Sequence, residues 1–420
     1  MKPNKRIFVV GGDLTTFIGK HHPDFIWKKH PDFGERENPT LEELTAAAIR
    51  GALEKTGVEA SQIQRGYVGN FAGELFSNQG HMGALAVRAH EDLNGTPFIR
   101  VEAACASGGL AVTGAVESLL AGLDIVLAVG SEVQTSVSAR DGAGFLARAA
   151  HWESERSIDD FTFPALFARR AKHYKEAYGV DDADIAPVVV KAYANGNKNP
   201  YAHMRTVEVD LEKASSASDR NPRFLKNEEL HDHLKVTDCS QVSDGAAAII
   251  LATEEGLAKI GKKPEDCIEL LSYGIATSAL GNVEDFTFLG NTNKAATEAY
   301  GDAGIEPGDV QVCEVHDCFA ITEVMMYEAL GFAERGKGTE LGKAGATGIE
   351  GDTPVNTGGG LMAFGHPVGA TGVKQVFEVY RQMKGQCGDY QIPTRPQVGL
   401  TANMGGDDRT AVVMAFKNLG

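Results

Sequence analysis

Four short stretches of this 420-residue chain set reactive side chains among small ones. Cys105 lies in VEAACASGGLAV, where a short apolar strand over 98–101 runs into small residues and then an amphipathic helix. That places the thiol at a strand-to-helix turn, near free N–H groups and a helix dipole that favour a thiolate. On this context alone Cys105 reads evenly as an activated nucleophile or as a buried structural Cys. His366 lies in NTGGGLMAFGHPVGATG, ahead of a helix that carries Val373, Val376, Phe377 and Tyr380 on one face. Pro367 fixes the backbone after it, and a His held so can donate a hydrogen bond or exchange a proton. No Lys-Ser/Thr pair follows and no GxGxxG spacing is present, which argues against a phosphate loop.

The third stretch is CEVHDCFAITEVMMYEALG, with a helix expected from Ala320. On an extended chain Glu314, His316 and Cys318 share one face. Cys313, His316 and Cys318 also invite a zinc reading, but their spacing fits no standard finger or ribbon. Cys239, Cys267 and Cys387 have no such context and read as structural. The fourth stretch, VGLTANMGGDDRTAVVMAF, predicts two strands around a tight Asn403-Met404-Gly405-Gly406 turn. Amides at such a turn can point at a developing oxyanion; an ordinary hairpin turn would look the same.

The elements that must position these residues alternate. Residues 6–12 read as a buried strand. Thr40 to Lys55 reads as a helix with Thr40 as N-cap, Glu43 as its capping-box partner and Gly57 as its stop. A helix over 108–121 precedes a strand at Ile125–Val129, and DGAAAIILAT (244–253) is a further buried strand. The alternation predicts an α/β fold with a largely parallel sheet. The chain also echoes itself: KTGVEASQIQRGYVGN (55–70) matches DAGIEPGDVQVCEVHD (302–317) at a constant offset of 247 through Gly57, Val58, Glu59, Ile63 and Gln64. Two similar halves follow, with a more charged, less regular insertion between them. The expected division is a first half of 1–134 with 241–262, an inserted loop domain of 135–240 and a second half of 263–420. HPDF occurs twice in 21–38, at 22–25 and 30–33, and reads as a surface loop.

Composition narrows the class. Fifty-seven acidic against 40 basic residues give a net charge of −17, a sign that repels phosphate backbones and excludes nucleic acid as a partner. No apolar run approaches the ~20 residues of a membrane span. The start has no apolar h-region and the final KNLG is no peroxisomal address. Six scattered Cys without a CxxC suit a reduced, cytoplasmic protein.

In this order and spacing the four stretches resemble the thiolase superfamily, and the resemblance covers essentially the whole chain. It implies a duplicated αβαβα layered fold with an inserted loop domain that covers coenzyme A. It also implies a homodimer or a dimer of dimers, acyl-CoA and CoA as substrates, and no metal or redox cofactor. Conventional thiolases carry an Asn-Glu-type motif where this chain has His316-Asp317-Cys318-Phe319, and a second Cys in the final glycine turn, where it has Asn403. The HDCF form is similar to sterol-carrier-protein-type thiolases and their bacterial relatives, without the lipid-transfer domain that some of them carry. The implied catalytic set is Cys105, His316, Cys318 and His366. Cys105 would hold the acyl group with His366 assisting its deprotonation, and Cys318 would remove an α-proton. His316 and His366 would stabilise the enolate, and the amides of Cys105 and Gly405 would form the other oxyanion hole. The reaction is Claisen condensation of acyl-CoA thioesters or CoA-dependent cleavage of a β-ketoacyl-CoA. Arg169, Arg170, Lys172 and Lys175 are candidates for the nucleotide phosphates, and Phe163, Leu166 and Phe167 for the acyl pocket; a solvated helix face and core packing are the plainer readings of the two sets. Alternatives are an acyltransferase or aromatic β-ketoacyl-CoA thiolase needing a small zinc-ribbon/OB-fold partner subunit, and a non-catalytic acyl-CoA or lipid carrier.

Overall fold

The computed structural model describes residues 1–420. Its strands are β1 (Ile7–Leu14), β2 (Arg65–Gly69), β3 (Phe98–Val101), β4 (Ile125–Glu132), β5 (Gly245–Thr253), β6 (Ile268–Thr277), β7 (Val312–Val315), β8 (Val398–Gly405) and β9 (Thr410–Asn418). The longer helices are α1 (Leu41–Thr56), α2 (Ser107–Leu120), α3 (Thr162–Tyr178), α4 (Asp182–Lys198), α5 (Gly290–Ala303), α6 (Ala320–Ala329) and α7 (Thr371–Met383). No helix is long and apolar enough to cross a membrane.

All nine strands join in the order β3-β2-β4-β5-β1-β6-β9-β8-β7. The seam between the halves is short, with β1 meeting β6 only over Ile7–Val9. On either side of it the pairings repeat. In the first half β2 runs parallel to β3 and β4, and β5 is antiparallel to β4 and β1. In the second β7 runs parallel to β8, and β9 is antiparallel to β8 and β6. Where β3 would recur there is a single parallel bridge, Cys313 to Val355. The offset of 247 read from the sequence has its counterpart in local structure. Gly57 and Gly304 end α1 and α5 in the left-handed region, each at φ 70. The Thr40–Glu43 capping box forms as expected.

Alternation along the strands makes the layers, because successive side chains leave opposite faces. In β1, Phe8 and Val10 pack towards α1, whereas Ile7 and Val9 face a core shared with α2 and α7. In β9, Val412, Met414 and Phe416 face that same central core, and Ala411, Val413 and Ala415 face α5. The result is α1, sheet, α2 with α7, sheet, α5, which is the layered α/β architecture expected. Residues 135–240 contain α3, α4 and shorter helices but no strand.

Two details differ from the sequence expectation. The sheet is mixed and not largely parallel, with five of its eight strand pairings antiparallel. Asn403 and Met404 lie inside β8, so the tight turn before β9 is Gly406–Arg409 instead. The HPDF repeats each form the same small turn: Nδ1 of His22 accepts the amide of Asp24, and Nδ1 of His30 that of Asp32, both at 3.1 Å.

Candidate active site

The central layer brings the reactive stretches together. α2 and α7 cross backbone to backbone near their N-termini. A Cβ on Gly372 would sit 2.1 Å from the amide nitrogen of Gly109, and one on Gly108 would sit 2.7 Å from that of Gly372. Only glycine permits this approach, and it sets the turn before α2, with Cys105, beside the loop before α7, with His366. One ligating atom each of Cys105, His316 and His366 lies within 4.8 Å of the others. The rings of His316 and His366 stand edge to face, 5.0 Å apart. The spacing also suits a soft metal ion; without one, the thiol and the imidazoles are close enough to exchange protons.

The Cys105 turn is held by its neighbours. Ala104 has φ 52, rare for a side-chain-bearing residue and a mark of strain at a functional turn. Ser107 locks the turn, its hydroxyl donating to the Ala104 carbonyl at 2.6 Å and accepting the Ala103 amide at 3.0 Å. The sequence favoured a thiolate here, but burial wins: it pushes the Cys105 thiol up to about 12, against lowering hydrogen bonds from the amides of Gly406 and of Cys105 itself. The turn amide that meets the thiol is thus Gly406, one residue beyond Gly405. Burial likewise pushes Cys318 well up. Both thiols therefore rest protonated, and ionisation has to be coupled to a nearby base.

The two histidines are neutral for the same reason. Burial lowers His366 to about 3 and His316 well below its ordinary value, with Lys374 adding to both. Nδ1 of His366 lies 2.6 Å from Thr371 Oγ1, whose hydroxyl donates to the Pro367 carbonyl at 3.2 Å. Satisfying both contacts puts the proton on Nδ1 and leaves Nε2 as an acceptor. The GHPVG loop is itself tied down: Glu132 accepts the Gly369 amide, Gln134 the Val368 amide and Ser243 the His366 amide. His316 and Asp317 follow β7 directly, and Asp317 accepts the Leu361 amide at 2.6 Å.

Cys105, Cys318 and His366 share a cavity of about 370 Å³. Its wall includes Phe71, Leu146, Phe161, Phe163, Phe224 and Phe319, and no Lys, Arg, Asp or Glu. Of the acyl-pocket candidates Phe163 lines it, whereas Leu166 and Phe167 are fully buried in the core and do not. Arg170 also departs from its expected role. It is 1% exposed, pairs with Asp407, and donates to the carbonyls of Asp285, Phe286 and Phe288. It ties α3 to the turn before β9 and has no reach to a phosphate. Arg169 stacks on Phe286 and pairs with Glu155, and Lys175 pairs with Asp182, while Lys172 makes no ion pair. Glu314 does not join Cys318; it forms a buried ion pair with Lys374 at 2.8 Å. Cys313 is buried in β7, outside the cluster.

Several residues of the site escaped the sequence reading. Cys239 is a third thiol on the cavity wall. Glu132, Gln134 and Ser243 hold the backbone of a loop distant in sequence and nothing local marks them, whereas Thr371 lies only five residues from His366. Phe71 had a signal, since it follows the echo at the position equivalent to Cys318.

Two family models match the chain: "Thiolase, N-terminal domain" over residues 32–255 and "Thiolase C-terminal domain-like" over 272–418. An acetyl-CoA acetyltransferase of Methanothermobacter thermautotrophicus is 36% identical over 90% of this chain and 94% of its own length. Sterol carrier protein 2 of Oryctolagus cuniculus is 29% identical over 99% of this chain and 73% of its own length. Among solved structures, Ltp2-ChsH2(DUF35) aldolase superposes with a TM-score of 0.77 at 19% identity, covering 100% of this chain and 99% of that one. Human mitochondrial 3-ketoacyl-CoA thiolase in complex with CoA superposes with a TM-score of 0.73 at 15% identity, covering 100% of both chains.

Proposed function

The chain belongs to the thiolase family, and from that premise we propose that its acyl transfer runs through a thioester on Cys105. The activity is that of a thiolase, an acyltransferase that joins acyl-CoA thioesters or cleaves a β-ketoacyl-CoA with CoA. The observation that carries the residue assignment is the convergence of Cys105 with His316 and His366, both more than 200 residues away from it, within 4.8 Å, beside a cavity that Cys105 and His366 line together with Cys318.

The steps follow from the geometry. Nε2 of His366 takes the proton of Cys105 as the sulfur attacks the acyl carbonyl, so the high resting pKa of the thiol is met by concerted transfer. Amides of Cys105 and of the Gly405–Gly406 turn then face the tetrahedral oxyanion. The first CoA leaves as its thiolate and takes the proton of Cys318. Cys318, now a thiolate, removes an α-proton from the second acyl-CoA, while Nε2–H of His316 and of the now protonated His366 hold the enolate oxygen. The carbanion attacks the Cys105 thioester, the Cys105 sulfur is expelled and recovers its proton from His366, and the β-ketoacyl-CoA departs. An apolar wall without a charged side chain suits a neutral acyl group, because a carboxylate buried there would have no partner.

The division into halves 1–134 with 241–262 and 263–420, flanking a loop domain of 135–240, is part of this reading; the strand-free insertion supports it. So is a homodimer. One edge of β3 is unpaired and Ile99 on it is 42% exposed, a surface suited to a second copy. Six free thiols suit a cytoplasmic setting. A complete catalytic group disfavours both the partner-dependent and the carrier alternatives.

Intact-protein mass spectrometry after brief mixing with acyl-CoA esters tests the assignment. The expected result is an acyl adduct mapped to Cys105; an adduct on Cys318 or Cys239 instead would overturn it.

A further inference from the structure

Asn403 occupies the place where the resemblance leads one to expect a second Cys, and its contacts give it a definite task. Three groups surround its side chain. The Gly109 amide donates to Oδ1 at 3.1 Å. The Cys105 carbonyl lies 3.1 Å from Nδ2. Nδ1 of His316 lies 3.2 Å from Nδ2 as well. An amide N–H can only donate and a carbonyl can only accept, so the two backbone partners alone fix which end of the carboxamide is oxygen. Nδ2 has two hydrogens. One goes to Cys105, and the other meets Nδ1 of His316.

That second bond decides the state of His316. Its Nδ1 has to accept, so in the neutral ring the proton resides on Nε2. Nε2 is buried and has no partner in the protein. A buried donor left unpaired is costly, and His316 belongs to the close group formed with Cys105 and His366. We propose that Asn403 is a positioning residue that holds His316 as the Nε2–H tautomer, so that a neutral imidazole presents a hydrogen-bond donor to the enolate oxygen.

The contrast with His366 supports this. Thr371 Oγ1 accepts the hydrogen bond from Nδ1–H of His366 and leaves its Nε2 an acceptor. The pair, edge to face with rings 5.0 Å apart, is then divided between one donor and one acceptor, with no net charge. The charged and titratable groups around His316 are His366, Lys374, Asp317, Cys105 and Cys318. Lys374 is neutralised by Glu314.

The inference rests on the proposed function, and the tests separate the two. Wild-type acylation of Cys105 checks the reaction itself. Solvent-deuterium exchange at the α-carbon of acetyl-CoA checks the enolate step. In Asn403→Asp the carboxylate only accepts, so Nδ1 of His316 has to carry a proton and Nε2 donates only when the ring is an imidazolium. Exchange at pH 8 should fall at least 100-fold and recover at least tenfold at pH 6, while Cys105 acylation falls less than tenfold. Equal loss of acylation and exchange with an unchanged pH profile would reduce Asn403 to a structural prop and overturn the proposal; so would wild-type exchange. Should the variant fail to fold, the wild-type protein decides. With 15N-labelled histidine, and His316 assigned by difference from His316→Asn, the Nε2–H tautomer is expected; the Nδ1–H tautomer sinks the idea.

Discussion

The ends of β2 and β7 occupy equivalent places in the two halves, yet they do different work. Upstream the match is close. Gln64 and Gln311, 247 residues apart, each use Oε1 to accept an amide at the start of the neighbouring strand, from Ile125 and Asp124 in one half and from Gln397 in the other. At the strand ends Asn70 and Asp317 each hold a loop, Asn70 through Ser131, Glu132 and Gly73 and Asp317 through Leu361. One residue on, the halves part: Phe71 and Cys318 both line the cavity, but one is wall and the other is a thiol. A repeated scaffold supplies placement to both, and the residue type supplies chemistry to one. Across the crossing of α2 and α7 the assignment is also asymmetric, with Cys105 from one half and His366 from the other.

The largest expected effect tests that asymmetry directly. Cys318→Ala should lower carbon–carbon bond formation by about 10²–10⁴, the usual contribution of a positioned acid or base, while leaving Cys105 acylation partly intact. Phe71→Ala should act on acyl-CoA binding, with less than a tenfold change in the turnover rate. Steady-state and single-turnover kinetics separate the two, and equal losses would mean that the equivalent positions are not functionally divided.

The crossing itself can be broken. Gly372→Ala forces a methyl group to within 2.1 Å of the Gly109 amide, so the helices have to part. Overpacking of this kind costs about 1–3 kcal/mol, and here it should also slow Cys105 acylation by moving His366. Gly57→Ala and Gly304→Ala meet no atom within 4 Å and lose only the left-handed cap, about 1 kcal/mol each. Urea midpoints would show whether the repeated caps behave alike.

The smallest effect is a difference of sign with pH. Burial raises Glu132 in the first half to about 7, so its folded form binds more protons and stability is lost as pH rises from the ordinary carboxylate range towards 7. His366 in the second half is lowered to about 3, so the unfolded chain binds more protons and stability is lost as pH falls from 6.5 towards 3. Glu132→Gln should flatten the first slope and His366→Asn the second, each by roughly 1 kcal/mol over the first pH unit. Urea melts across pH 4–8 measure both, and slopes unchanged by the substitutions would contradict the assignment.

Much of this was legible in the sequence because it depends on near neighbours. The Thr40 cap, the Gly57 stop, the strand into Cys105 and the offset of 247 are local patterns that hold wherever the segment lies. The reactive types at Cys105, His316, Cys318 and His366 were legible for the same reason. Arg170 was misread because a basic helix residue looks alike whether it meets solvent or Asp407, and only the packing of α3 against the turn before β9 tells them apart. Leu166 and Phe167 were misread because an apolar run does not say which cavity it faces. The pKa of Cys105 rose although the helix terminus favours a thiolate, since burial depends on everything packed around the sulfur. The proton on His316 was beyond the sequence too: it depends on an amide that the fold places between Gly109, Cys105 and His316. The sequence by itself determined which groups could react and how the local helix caps form; the tertiary structure decided which of them meet, in what protonation state and against what wall, because burial and hydrogen-bond partners are properties of contacts between distant segments.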